Sequence, residues 1–313
     1  MQRRKVAYLL SAFTQAYYLA NMTPLQYKLN NVLAARARLG EGPLWDATQK
    51  LFYWVDIYNY RVNQFNPAIG QNSFFDVGDV VGCIALAGTN RLIMAQRHRL
   101  AFLNTQTGEV TPIIQVEADM PNNRFNDGKC DPQGRFWFGS MSSEKSQASL
   151  YRYNPDGSLQ VMETGLTISN GLGWSPDNKT FYLTDSDQQK IYAYDFDAET
   201  GNISDRRIFV DLTHESFFPD GLTIDTEGHI WSAMWDGGCV IRFNPAGEET
   251  MRIQLPLKRP TNCTFGGEDL KSLYITTASV GLSQAEIDKS VCSGDLFEVQ
   301  TDISGLPAYH FQG

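Results

Sequence analysis

Histidine is nearly missing from this chain: His98, His214, His229 and His310 are the only four in 313 residues, and they are scattered. There is no His-Glu-x-x-His helix, no Gly-x-Ser-x-Gly elbow and no Gly-rich phosphate loop at a strand-to-helix junction, which excludes the commonest zinc-protease, serine-hydrolase and nucleotide chemistries. Five cysteines (Cys83, Cys130, Cys239, Cys263, Cys292) lie tens of residues apart. Without a Cys-x-x-Cys pair and with one thiol left over, neither a disulfide framework nor a zinc knuckle fits. Reduced, buried thiols in a reducing, cytoplasmic compartment are the expectation. Positive charge is also short: 26 Lys and Arg against 35 Asp and Glu leave a net charge of −9. No basic stripe follows residue 5, so neither nucleic acid nor an anionic membrane surface is an expected partner.

Long apolar runs are absent after the first residues. Arg3, Arg4 and Lys5 ahead of Val6 to Ala20 resemble the start of a signal peptide, but Thr14 and Gln15 interrupt the run and no small-x-small cleavage site follows. Residues 1–22 therefore read as an N-terminal extension, disordered or upstream of a true start at Met22, and residues 23–313 as the folded domain. Nor does a 3.6-residue period persist over ten residues anywhere in that domain, which disfavours an α/β fold.

What the chain does have is a repeat. Glu41-Gly42, Gly82-Cys83, Asp127-Gly128, Asn170-Gly171, Asp220-Gly221 and Asn262-Cys263 follow one another at intervals of 41, 45, 43, 50 and 42 residues. Each is expected to open a short strand, followed by a hairpin turn such as Asp131-Pro132-Gln133-Gly134 or Ser175-Pro176-Asp177-Asn178. The second strands then read Leu51 to Asp56, Arg135 to Gly139, Thr180 to Asp185, His229 to Met234 and Ser272 to Thr276. All are rich in aromatic and β-branched residues. Six units of this period predict an all-β, six-bladed β-propeller. A ring of blades must close or leave an exposed edge, so Tyr27 to Ala35 is expected beside Leu296 to Gln300 in the last blade.

In a propeller, residues at one phase of every repeat converge on one end of the central channel. That phase holds Glu41, Asp127, Asn170 and Asp220. Singly, Asp-Gly and Asn-Gly are ordinary turn formers. Here, however, every repeat already has its turn downstream, and Glu41 is a poor turn residue. Carboxylates and a carboxamide meeting in a narrow channel form an oxygen site for a hard cation, Ca²⁺, Mg²⁺ or Mn²⁺, with Zn²⁺ tolerated. A cation also relieves the repulsion that buried carboxylates otherwise suffer.

Five stretches carry a family resemblance: Leu39-Gly40-Glu41-Gly42-Pro43-Leu44-Trp45, Arg124-Phe125-Asn126-Asp127-Gly128-Lys129, Ile168-Ser169-Asn170-Gly171-Leu172, Phe218-Pro219-Asp220-Gly221-Leu222 and Thr261-Asn262-Cys263-Thr264-Phe265-Gly266-Gly267. In order and spacing they resemble the regucalcin (senescence marker protein), gluconolactonase and luciferin-regenerating enzyme family, from about residue 27 to the end. The resemblance implies one divalent metal ion held by Glu41, Asn170 and Asp220, and hydrolysis of a small-molecule sugar lactone with Asp220 as the acid/base group. It also implies substrate contacts from Arg124, Asn126 and Glu144, while Asp127 reads better as a hydrogen-bond acceptor than as a ligand. A monomer or small homo-oligomer is expected. Two other readings use the same residues: a non-catalytic, calcium-binding regulatory propeller, and a luciferin-regenerating or aryl-lactone hydrolase. The last predicts an apolar channel mouth, the aldonolactonase a polar one.

Overall fold

The computed structural model describes residues 27–313, so the extension over residues 1–22 lies outside the described residues. Six four-stranded antiparallel sheets surround a central channel. From the channel outward, blade 1 is Gly40–Asp46, Leu51–Asp56, Arg61–Asn66 and Gln71–Asp76, and blade 2 is Val81–Leu86, Arg91–Gln96, Arg99–Asn104 and Val110–Gln115. Blade 3 is Asn123–Cys130, Phe136–Ser142, Ala148–Tyr153 and Leu159–Leu166; blade 4 is Ser169–Trp174, Thr180–Asp185, Lys190–Asp197 and Asn202–Asp211. Blade 5 is Phe218–Ile224, Ile230–Trp235, Cys239–Phe243 and Glu249–Gln254. Blade 6 takes Pro260–Gly266, Ser272–Thr277 and Leu296–Gln300 from the end of the chain and Leu29–Leu33 from its beginning. Leu29 pairs with Val299 and Asn31 with Phe297, so the ring closes as the edge argument requires.

Burial grades across each blade. Val81–Leu86 is buried at every position, whereas the outermost strand Gln71–Asp76 of blade 1 is largely exposed. Aromatic residues fill the space between neighbouring blades: Trp137 of blade 3 packs edge-on against Trp174 of blade 4, with ring centroids 5.7 Å apart. Four of the five cysteines are buried free thiols; Cys292 departs from the expectation, being only half-buried beside the short helix Gln284–Lys289. Among the described residues no helix is long and apolar enough to cross a membrane.

One local expectation needs correcting. The six dipeptides lie inside the innermost strands rather than opening them, and each marks a break in register: between Glu41 and Leu44, Val81 and Cys83, Phe125 and Gly128, Asn170 and Leu172, Pro219 and Leu222, and Pro260 and Asn262. A bulge re-aims the side chain at that point, here toward the axis. The glycines follow from crowding there. A Cβ on Gly171 would sit 2.6 Å from the carbonyl oxygen of Asp220, and one on Gly221 would sit 1.9 Å from Cγ of Asn262. Each glycine lets the next blade's residue approach the axis.

The C-terminal segment covers the opposite end of the channel. The amide of Thr226 donates to the Ser304 carbonyl, that of Gly305 to Leu270, that of Phe311 to Leu86 and that of Gln312 to Gly134, so this strap ties four blades together. Leu306 to Tyr309 meet Leu44, Ile84 and Ile224 beneath the channel.

Candidate metal centre and substrate cavity

At the open end, the bulged strands bring the polar side chains of five blades together, each less than a tenth exposed. Glu41 Oε2 accepts from the Gly42 amide at 2.7 Å and from Asn262 Nδ2 at 2.9 Å. The same Nδ2 donates to Asp127 Oδ2 at 3.2 Å, while Asp127 Oδ1 accepts from the Gly128 amide at 2.8 Å. Asn262 is held in this orientation by its Oδ1, which accepts from the Cys263 amide at 2.8 Å. Across the channel Asn170 Nδ2 donates to Asp220 Oδ1 and to Ser186 Oγ, and Ser186 in turn donates to the Pro219 carbonyl at 2.6 Å.

The electrostatics of this cluster are unfavourable. Burial first, then the neighbouring Asp127 carboxylate, pushes Glu41 up to about 8. Burial, then Glu41 and Asp127, raises Asp220 well above the ordinary carboxylate range, and burial raises Asp127 too. The nearby cations do not cancel the effect: Lys129 donates to the Leu222 carbonyl at 3.0 Å and is itself lowered by burial.

A divalent cation fits this donor set. Asn170 Oδ1 is buried and has no hydrogen-bond partner, and it lines the same cavity as the Glu41 and Asp220 carboxylates. Oxygen-only donors suit hard cations, and an orphaned carbonyl beside two carboxylates that resist ionisation is what such an ion would satisfy. Among the described residues no three His, Cys, Asp or Glu side chains are disposed as ligands of one ion.

Above the cluster opens a cavity of ≈ 460 Å³, within the size range of small-molecule sites. Arg124 and Asn126 line it, coupled to each other: Arg124 Nη1 donates to Asn126 Oδ1 and to the Phe125 carbonyl, both at 2.9 Å, and Asn126 Nδ2 donates to the Ser169 carbonyl at 3.0 Å. The rest of the wall is largely apolar, from Tyr58, Met141, Ile168, Phe218, Trp235 and Val280, with Asp187 and Arg259 as charged exceptions. Polar floor and apolar rim therefore coexist, where the competing sequence readings expected one or the other.

Five of the six sequence-predicted residues thus meet at one cavity. Glu144 does not line it; the side chain lies on an exposed loop and accepts from Asn122 Nδ2 at 2.7 Å. His214 is a solvated loop residue, and His98 is half-buried. Asn262 and Ser186 were missed. Asn262 shares the repeat phase of Glu41 and could have been found from it; Ser186, Tyr58 and Trp235 come from loops and a second strand, where no period marks them, whereas Phe218 begins an innermost strand.

The sequence matches the SMP-30/Gluconolactonase/LRE-like region over residues 39–279, from the first innermost strand into the last blade. It is 38% identical to regucalcin of Gallus gallus over 295 residues, covering 91% of this chain and 99% of that one. It is 36% identical to a pentonolactonase of Haloferax volcanii, covering 90% and 97%. The crystal structure of a calcium-binding protein, regucalcin, from Agrobacterium tumefaciens superposes with a TM-score of 0.89 at 27% identity, covering 92% of this chain and 98% of that one. With motif order, propeller and channel cluster in agreement, the chain belongs to the SMP-30/gluconolactonase/LRE-like family.

Proposed function

We propose that this protein is a metal-dependent lactonase that hydrolyses a sugar lactone to the corresponding aldonic acid. The observation that carries the reading is the unpartnered Asn170 Oδ1 beside Glu41 and Asp220 at the floor of the cavity. The pentonolactonase name of a relative supports the substrate class, and the calcium-binding description of another supports a divalent ion. Glu41, Asn170 and Asp220 would hold calcium, magnesium, manganese or zinc, which when bound supplies Lewis-acid polarisation of an ester carbonyl.

The chain's own residues do the rest. Water attacks the lactone carbonyl carbon, and Asp220 takes the proton that this water loses. As the ring C–O bond breaks, the same proton passes from Asp220 to the departing alkoxide oxygen, leaving a carboxylic acid and a hydroxyl. Asp220 Oδ1 accepts from Asn170 Nδ2, and Asp220 would hold the ion through one carboxylate oxygen while the other serves proton transfer. Arg124 fixes Asn126, and the two orient the substrate's hydroxyls, which contributes alignment rather than chemistry.

Steady-state hydrolysis of several aldonolactones, each with Ca²⁺, Mg²⁺, Mn²⁺ and Zn²⁺, tests the reading. Activity should vanish on chelation, return with metal, and fall by about 10²–10⁴-fold in Asp220→Asn, the range for loss of a general base. Full activity after exhaustive chelation would end the metal-dependent mechanism. Turnover of no lactone at all would leave the calcium-binding regulatory reading. The apolar rim of Ile168, Phe218 and Trp235 favours a second reading, an aryl-lactone substrate, so one aromatic lactone belongs in the panel.

A further inference from the structure

Beside the cavity, and sharing Tyr58, Arg124 and Met141 with it, lies a second recess of ≈ 420 Å³. Three arginines line it, Arg38, Arg97 and Arg124, and no Asp, Glu or Lys does. In a chain where 35 acids outnumber 26 bases, a lining of one positive sign runs against the overall charge. The three are not equivalent. Arg97 is paired with Asp79 at 3.2 Å. Arg124 spends one nitrogen on Asn126 and the Phe125 carbonyl and makes no ion pair, although its charge is felt by Glu41 and Asp220 in the neighbouring cavity. The Arg38 guanidinium makes neither an ion pair nor a hydrogen bond among the described residues; only its backbone is engaged, the amide donating to Asp56 and the carbonyl accepting from Ser279 and Val280. The Tyr58 ring contacts both the free Arg38 guanidinium and that of Arg124, each with Cζ 5.6 Å from the ring centroid. Cation–π contacts of this kind place the charges while leaving the edge N–H donors unused. An arginine fork with unused donors is matched to phosphate and carboxylate oxygens.

We propose that the recess is an anion subsite, and that the substrate is a sugar lactone carrying a phosphate or carboxylate group which Arg38 and Arg124 grip while the lactone ring lies over Glu41, Asn170 and Asp220. The proposal rests on the lactonase reading. Arg124 then has two tasks, fixing Asn126 on one side and binding the anion on the other, whereas Arg38 has only the second. Arg38 is accordingly the specificity residue, and its removal separates the subsite from the chemistry.

The experiment compares three lactones of one sugar, neutral, phosphorylated at the far end, and carrying a far-end carboxylate, on the wild-type metal-loaded protein and on Arg38→Gln. In the wild type, at least one anionic lactone should show a KM about tenfold or more below that of the neutral one, as expected for one charge-assisted hydrogen-bonded pair, and raised salt should narrow the gap. Which of the two anionic lactones is preferred identifies the group. Arg38→Gln should raise that KM about tenfold with kcat within about twofold, and leave the neutral lactone unchanged. Inorganic phosphate provides a readout without turnover: it should raise the Tm of the wild type and not that of Arg38→Gln. Equal KM values for charged and neutral lactones, or an anionic KM unmoved by Arg38→Gln, overturn the subsite while leaving the lactonase intact. If no lactone is hydrolysed, the lactonase reading fails, and the phosphate-dependent Tm shift alone decides whether the recess binds anions.

Discussion

The buried carboxylates make the protein's stability a sensor of the proposed metal site. Without a cation, Glu41 has its proton affinity pushed from 4.5 up to about 8. Between those two values the folded protein keeps a proton that the unfolded chain has released, so stability is full below pH 4.5 and declines as pH rises toward 8. At 1.36 kcal/mol per pH unit, and with part of the shift shared among three repelling carboxylates, the loss is on the order of 3–5 kcal/mol. For a chain of this size that is a fall in Tm of roughly 6–12 °C between pH 5 and pH 8. A cation binds the ionised form, so its stabilisation grows with pH; at a hundredfold excess over Kd it contributes about 2.7 kcal/mol. The assay is thermal unfolding at pH 5, 6, 7 and 8 in chelator and in saturating Ca²⁺ or Mn²⁺. Glu41→Gln serves as reference, because it carries the same surface charge but cannot titrate at the channel. The wild type in chelator should lose stability with pH more steeply than Glu41→Gln, and metal should remove the difference. Parallel slopes for the two proteins in chelator, or a Tm indifferent to every divalent ion at pH 8, would refute the reasoning.

Two further outcomes probe the scaffold. Gly221→Ala places a methyl against the Asn262 side chain; it should cost about 1–3 kcal/mol by overpacking and disturb the Glu41–Asn262–Asp127 bridge, read by denaturant unfolding and metal titration. Phe311→Ala removes a buried ring that stacks on Tyr153 at 5.6 Å; loss of about 3–5 kcal/mol without a change in the KM of the surviving native fraction would identify the C-terminal strap as structural, and a wild-type Tm would contradict it.

Much of this molecule was legible in its sequence because a propeller repeats. One period located six innermost strands and, through phase, the positions facing the axis, while the need to close the ring placed Tyr27 to Ala35 beside Leu296 to Gln300, where Leu29–Leu33 pairs. Phase also held Asn262, whose role depends on a geometry that spacing does not express: one amide donating to carboxylates from two other blades. The register breaks at the dipeptides were equally hidden. They arise where six strands crowd one axis, and a glycine looks the same in a turn as in a bulge.

Local chemistry, repeated, determined the architecture and the acidic, oxygen-rich character of the channel, since strand patterning, turn residues and hairpin pairing are short-range properties. Only the tertiary structure decided that Asn170 Oδ1 would be left without a partner, that Glu144 would lie outside the cavity, and that Arg38 and Arg124 would share Tyr58. Those facts depend on loops and side chains from different blades meeting in space, and no period along the chain encodes the distance between residues that touch only once the ring has closed.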